Sequence, residues 1–254
     1  YTTLFRSSSI PCEFSKTGIS YLKDLGITHV HLMPCFDYAT VDEERLDKPQ
    51  YNWGYDPQNY FVPEGSYSTN PYSGSQRIKE FKEMVLALHK AGIRVIMDMV
   101  YNHTYKSYDS NLNLAVPGYY YRCDQNRNFS NGSGCGNELA SERFMVRKLI
   151  VDSVIYWAKE YHIDGFRFDL MGLHDIDTMK AIRNELNLID PSIIIYGEGW
   201  TGGGTSLDGH IQSSKQNITK FERMQIAAFS DDTRDGVKGH VFNVNERGFV
   251  NGRS

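Results

Sequence analysis

Residues 164–170 read DGFRFDL, a short apolar run with two charges set inside it. In an extended backbone the side chains alternate, so Phe166 and Phe168 go to one side and Arg167 and Asp169 to the other. A guanidinium and a carboxylate on one face favour the ionised carboxylate, because a nearby cation stabilises the charged form. An oriented, ionised carboxylate suits a nucleophile. A structural ion pair buried in a core has the same local pattern, so the strand's place in the chain has to decide between the two.

Working outward from that strand, helical and strand patterns alternate. ISYLKDLG precedes ITHVHLMP, RIKEFKEMVLALHKAG precedes IRVIMDMVY, FMVRKLIVDSVIYWAKEY precedes HIDGFRFDL, and DIDTMKAIRNELNLIDP precedes SIIIYGEGW. The helical segments carry apolar residues at i, i+3, i+4 and i+7 spacing, as in Phe81, Met84, Val85 and Leu88 or Ile150, Val154, Trp157 and Ala158. The strand segments are short and apolar nearly throughout, as strands covered on both faces are. Such strands joined by helical crossovers form a parallel sheet, either doubly wound or closed as a barrel.

The polar exceptions separate those architectures. Asp98, Asp169 and Glu198 each fall at or near the C-terminal end of a different strand, the edge where barrel enzymes assemble their sites. No glycine-rich phosphate turn follows the first strand, which removes support for a dinucleotide-binding sheet. The predicted fold is therefore an α/β (β/α) barrel. QIAAFS at 225–230 supplies a fifth strand, and the long segments 35–76 and 101–143 are expected to stand over the barrel mouth as loops.

Glu198 lies in IIIYGEGW, between glycines and before Trp200, with no counter-charge nearby in sequence. Desolvation is expected to keep a proton on it near neutrality, as a general acid requires. Two strand-end carboxylates whose environments push them apart are what a retaining glycosidase uses. A third strand end, MDMVYNHT, supplies Asp98, Asn102 and His103. One His beside one Asp and one Asn is no ligand set for a transition metal, while a calcium held through Asn102 or nearby carbonyls fits that chemistry. His29 and His31 read as core or barrel-mouth residues without a function. YNWGYDP at 51–57 mixes alternating rings with turn residues, which reads as a shaped loop offering flat faces to a base or a sugar, or tacking itself to the core.

The 254 residues are 40% hydrophobic and 23% charged, enough for a large core and far from disordered composition. No apolar run reaches the ~20 residues of a membrane span. The net charge of −4 and the lack of a basic cluster exclude nucleic acid as a partner. The first residues, YTTLFRSSSIPCEF, have no signal-peptide pattern and no initiator Met, and the compartment stays open. Cys12, Cys35, Cys123 and Cys135 form no zinc pattern; Cys123 and Cys135 read equally as free thiols or as a bridge closing a surface loop.

Taken together, MDMVYNH, DGFRFDLMG and YGEGW resemble, in order, the first three signature regions of the α-amylase superfamily, the family 13 glycoside hydrolases. YNWGYDP is similar to the hallmark of the type I pullulanases within it, and GSGCGNELASE and AAFSDDTRDGVKG resemble that subfamily as well. The resemblance implies an enzyme that cleaves α-1,6 linkages in pullulan, amylopectin or glycogen by a retaining mechanism, with no cofactor needed for the chemistry. It implies Asp169 as nucleophile, Glu198 as general acid/base, Arg167 as the residue orienting Asp169, and Asp98 as partner of that arginine. It also implies Asn102 as support, and Tyr55, His103 and Trp200 as sugar-binding residues, with Tyr51 and Trp53 shaping the loop. The family's fourth region, a strand ending in His-Asp, has no counterpart here, and Asp231, Asp232 and Asp235 stand in the wrong context for it. The expectation is an incomplete eight-stranded barrel, residues 1–254 supplying about strands two to six without the first and the last, and inactive alone.

Overall fold

The computed structural model describes residues 17–252. The reading of residues 1–14, the missing first strand ahead of residue 10 and Cys12 all lie outside that range. Among the described residues, five strands form one parallel sheet: β1 (His29–Leu32), β4 (Arg94–Met99), β5 (Gly165–Phe168), β6 (Ile194–Gly197) and β7 (Ile226–Ala228), side by side in that order. The helices α1 (Gly18–Asp24), α2 (Gly74–Lys90), α4 (Phe144–Tyr161) and α5 (Ile176–Ile189) fall where the apolar periodicity predicts them. Strand order that follows chain order, with helical crossovers between parallel neighbours, is the winding of a (β/α) barrel wall.

The helices start where side chains can satisfy their open N–H groups: Ser73 accepts from Gln76 ahead of α2, and Asp175 from Thr178 ahead of α5. Their apolar stripes meet in one core. Phe81 of α2 packs against Trp157 and Tyr161 of α4 at 5.5 and 5.2 Å between ring centroids, beneath Val95, Met97, Phe166 and Phe168 from the sheet. Burying such a side chain contributes roughly 1.5–3 kcal/mol, which anchors the sheet and so the strand ends.

The segment 35–76 is not loop throughout. Phe36–Tyr38 (β2) and Pro57–Pro63 (β3) pair antiparallel as a small second sheet. Tyr60 ties it to the core, its hydroxyl donating to the His103 carbonyl at 2.7 Å while its own carbonyl accepts from Trp157 Nε1 at 2.8 Å. The remaining helices are α3 (Asn111–Ala115), inside the segment 101–143, and α6 (Asp231–Lys238), after β7. Residues 51–56 between the paired strands carry no regular structure, as their turn chemistry requires. The segment 101–143 does behave as a long covering loop, cross-braced by Arg122 to Glu138 at 2.8 Å and to Glu142 at 2.7 Å. The Cys35, Cys123 and Cys135 thiols are free.

Candidate active site

The parallel register sets Asp98 of β4 beside Arg167 of β5, and Arg167 beside Tyr196 of β6. Their strand neighbours Met97, Met99, Phe166, Phe168 and Ile195 belong to the core. The pleat therefore turns Asp98, Arg167 and Tyr196 onto the face away from the helices. β5 ends at Phe168 and β6 at Gly197, so Asp169 and Glu198 are the first residues beyond each strand. Hydrogen bonds from Asp169 N to Met99 O (3.0 Å) and from Glu198 N to Phe168 O (3.1 Å) extend the ladder just far enough to fix both.

One guanidinium gathers all three carboxylates. Arg167 Nη1 lies 2.7 Å from Asp98 Oδ1 and 2.7 Å from Asp169 Oδ1, and Nη2 lies 2.6 Å from Glu198 Oε1. Burial works against the charge on Arg167, but the ring of carboxylates more than offsets it and holds the guanidinium protonated. Its carbon sits 6.0 Å from the centre of the Phe229 ring, contributed by the chain just after β7.

This geometry corrects the reading of Glu198. Its sequence neighbourhood lacks a counter-charge, yet Arg167 from the adjacent strand supplies one at 2.6 Å, and the Leu170 N–H donates to the other oxygen at 3.0 Å. Both carboxylate oxygens are accepting. The reading of Asp169 shifts as well: burial pushes its carboxyl up to about 6, Arg167 pulling it back and Glu198 adding to the rise.

Asn102 and His103 form a chain behind Asp169. Asn102 is fully buried and donates from Nδ2 to Asp169 Oδ2 at 2.8 Å, while its Oδ1 lies 2.6 Å from His103 Nδ1. Because that oxygen can only accept, His103 Nδ1 carries the proton. Burial lowers the His103 pKa to about 4, so the ring is neutral at physiological pH. The Asn102 amide thus turns its oxygen to His103 and its NH2 to Asp169. A separate group of acids, Asp37, Glu43 and Glu64, lies close together, with Glu43 paired to Arg77 at 2.6 Å and Glu64 accepting from the Tyr38 and Ser66 N–H groups.

Tyr55 is half-buried, and its hydroxyl donates to Asp98 Oδ2 at 2.8 Å. The ring thus stands over the same ion-pair cluster. Tyr51 and Trp53 are exposed and pack edge to face, the indole N–H donating to the Tyr51 hydroxyl. Trp200 is half-buried in the turn after β6. Asp231 and Asp232 pair with Lys215, and Asp235 pairs with Arg234, so these acids are engaged at the start of α6 rather than at the site.

Two further groups join the cluster: His31, read from the sequence as a core or barrel-mouth residue without a function, and Tyr196, which was not singled out. His31 of β1 lies 3.4 Å from Asp98 Oδ2 and 3.0 Å from the Tyr196 hydroxyl. Position on an inward strand was the only signal for them. The Leu170 N–H had no signal at all, since a left-handed leucine is not written in composition.

A model of the α-amylase catalytic domain matches residues 16–116. The pullulanase of Bacillus subtilis (strain 168) is 44% identical over 99% of this chain and 34% of its own length. Isoamylase 3 of Oryza sativa subsp. japonica is 41% identical over 87% of this chain and 30% of its own. The crystal structure of a Paenibacillus barengoltzii pullulanase with maltohexaose and α-cyclodextrin superposes with a TM-score of 0.94 at 49% identity, covering 98% of this chain and 38% of that one. The chain spans about a third or less of the length of the curated relatives it matches. With the barrel winding, the strand-end carboxylates and these likenesses in hand, the chain belongs to the α-amylase family, on its pullulanase side.

Proposed function

We propose that this chain carries the nucleophile and the general acid/base of a retaining glycosidase that hydrolyses α-1,6 linkages in branched α-glucans. The observation that carries the reading is the single Arg167 guanidinium holding Asp169 and Glu198 together at the C-terminal edge of the sheet. Two carboxylates drawn onto one small cation suit the ~5 Å spacing of retaining enzymes better than the wider gap that leaves room for a water. The pullulanase likeness, and the maltohexaose and α-cyclodextrin on one such relative, support an α-glucan as the substrate.

In the first half-reaction an Asp169 oxygen bonds to the anomeric carbon as the glycosidic C–O bond breaks, and Glu198 gives its proton to the departing oxygen. In the second, Glu198 takes a proton from water, whose oxygen attacks the same carbon and releases Asp169. With both oxygens accepting, Glu198 is arranged as the base, and the acid half requires one oxygen to be freed to carry a proton. Asn102 and Arg167 bind different oxygens of Asp169, fixing its plane. His103 orients Asn102, and neutral His103, Tyr55 and Trp200 line the sugar.

Asp169 must be ionised to attack. With its carboxyl at about 6, protonation below that pH removes the nucleophile, so kcat/KM on pullulan is expected to fall tenfold per unit on the acid side with a limb near 6. A profile flat down to pH 4 would mean that Arg167 outweighs burial at the Asp169 carboxyl. Tyr55→Phe keeps the ring but removes the bond to Asp98, and is expected to cost about tenfold in kcat/KM, the lower end for a hydrogen bond to a charged group. Tyr55→Ala removes the stacking face too and should cost about tenfold more. Equal loss in both variants would mean that only the hydroxyl matters.

Product analysis tests the linkage assignment. An enzyme containing this chain is expected to release maltotriose from pullulan. Clearance of glycogen branches with pullulan left intact would favour an isoamylase-type specificity instead.

A further inference from the structure

Leu170 has φ 42 and ψ 50, in the left-handed region that bulky residues rarely enter. A non-glycine residue is strained there and stays only where its surroundings hold it. The other non-glycine residues at positive φ among the described residues, Arg127, His162, Arg223 and Gln225, are all exposed, whereas Leu170 is half-buried beside the carboxylates. In that conformation the Leu170 N–H donates to Glu198 Oε2, 3.0 Å away.

That bond is one of three that tie Glu198 to the end of β5 and the turn after it. Gly172 N donates to the Glu198 carbonyl at 3.0 Å, and Glu198 N donates to Phe168 O at 3.1 Å. Close backbone approach locks the two turns together, since a Cβ on Gly172 would come within 2.5 Å of the Trp200 carbonyl and one on Gly197 within 2.7 Å of Phe168 O. The turn cannot slide relative to Glu198. We infer that the left-handed main chain of Leu170 is a positioning element for Glu198, its N–H fixing the carboxylate's orientation through both halves of the reaction.

This rests on the glycosidase reading above and deepens it. Arg167 divides itself among Asp98, Asp169 and Glu198. When Asp169 becomes a neutral ester its pull on the guanidinium ends, and the arginine is free to redistribute. In the described hydrogen bonds the Leu170 N–H serves Glu198 alone and is built into the backbone, so it keeps Oε2 in place while Arg167 shifts.

The test is a substitution series ranked by tolerance of the left-handed conformation rather than by size or hydrophobicity. Leu170→Gly and Leu170→Asn keep the backbone geometry at little cost and are expected to retain kcat/KM on pullulan within about threefold of the native enzyme. Leu170→Val and Leu170→Ile disfavour it and are expected to lose ~10–100-fold, the range for a lost hydrogen bond to a charged group, mainly in kcat. That loss should shrink on aryl glycosides with activated leaving groups. A readout independent of turnover is the amide resonance of residue 170 in the native and glycine forms, which should move upfield on Glu198→Gln. Native-like activity for the valine and isoleucine variants, poor activity for folded glycine and asparagine variants, or an amide resonance indifferent to Glu198→Gln would each overturn the inference. Should valine and isoleucine prevent folding, the glycine and asparagine arms and the resonance still decide it. If the native enzyme cleaves no α-glucan, the functional reading falls while the resonance still tests Leu170.

Discussion

Asp169→Asn is expected to lower kcat on pullulan by ~10⁴–10⁶-fold, the scale seen when a covalent nucleophile is removed, while glucan affinity stays within a few-fold. The amide cannot form the glycosyl ester, and no other carboxylate stands in its place: Asp98 is held by Arg167 and Tyr55, and Glu198 by Arg167 and Leu170. The substitution also carries a local mismatch. Asp169 accepts from Arg167 on one oxygen and from Asn102 on the other, so an amide must turn its NH2 toward one of those donors. Losing one such bond costs about 1 kcal/mol, too little to unfold a strand end anchored by the core. A folded, glucan-binding, inactive variant is therefore the expected result, checked by binding to maltooligosaccharide beside the rate assay. Residual activity near 1% of native would remove Asp169 from the nucleophile role.

Glu198→Gln is expected to slow pullulan hydrolysis by ~10²–10⁴-fold, the usual worth of a general acid/base. The loss should depend on the leaving group. An unactivated glucose alcohol needs its proton, whereas an activated aryl leaving group departs without one, so the first half-reaction on aryl glycosides should survive. The second half-reaction still lacks its base, and an added anionic nucleophile such as azide should restore it. Equal loss on both substrate types, unaffected by azide, would mean that Glu198 only supports the fold of the turn it shares with Gly172.

How much of this was legible in the sequence follows from which interactions are local. Helices α2, α4 and α5 and the strands between them could be read because their apolar spacing is a property of consecutive residues. The inward parity of Arg167 and Asp169 could be read for the same reason, and the two do share a hydrogen bond of 2.7 Å. The charge environment of Glu198 could not be read. Its counter-charge comes from the neighbouring strand, brought alongside by the register of β5 and β6, which pairs Arg167 with Tyr196. The same non-local register places His31 beside Asp98 and Tyr196. The β2–β3 pairing escaped because the residues ending in Pro57 read as turn chemistry just where its longer strand begins, yet proline is tolerated at strand ends and edges. Asp169's raised proton affinity was hidden because burial, which only the packed structure sets, outweighs the arginine that the sequence displays.

The most direct measurement is the identity of the residue that becomes covalently glycosylated. A slow-turnover fluorinated α-glucosyl donor, used with the Glu198→Gln form so that the intermediate accumulates, should add one glycosyl mass to the enzyme. Peptide mapping is expected to place it on the Asp169 carboxylate, with the released sugar keeping the α configuration. A label on Glu198 or any other residue, or inversion at the anomeric carbon with no label, would contradict the assignment of the two carboxylates.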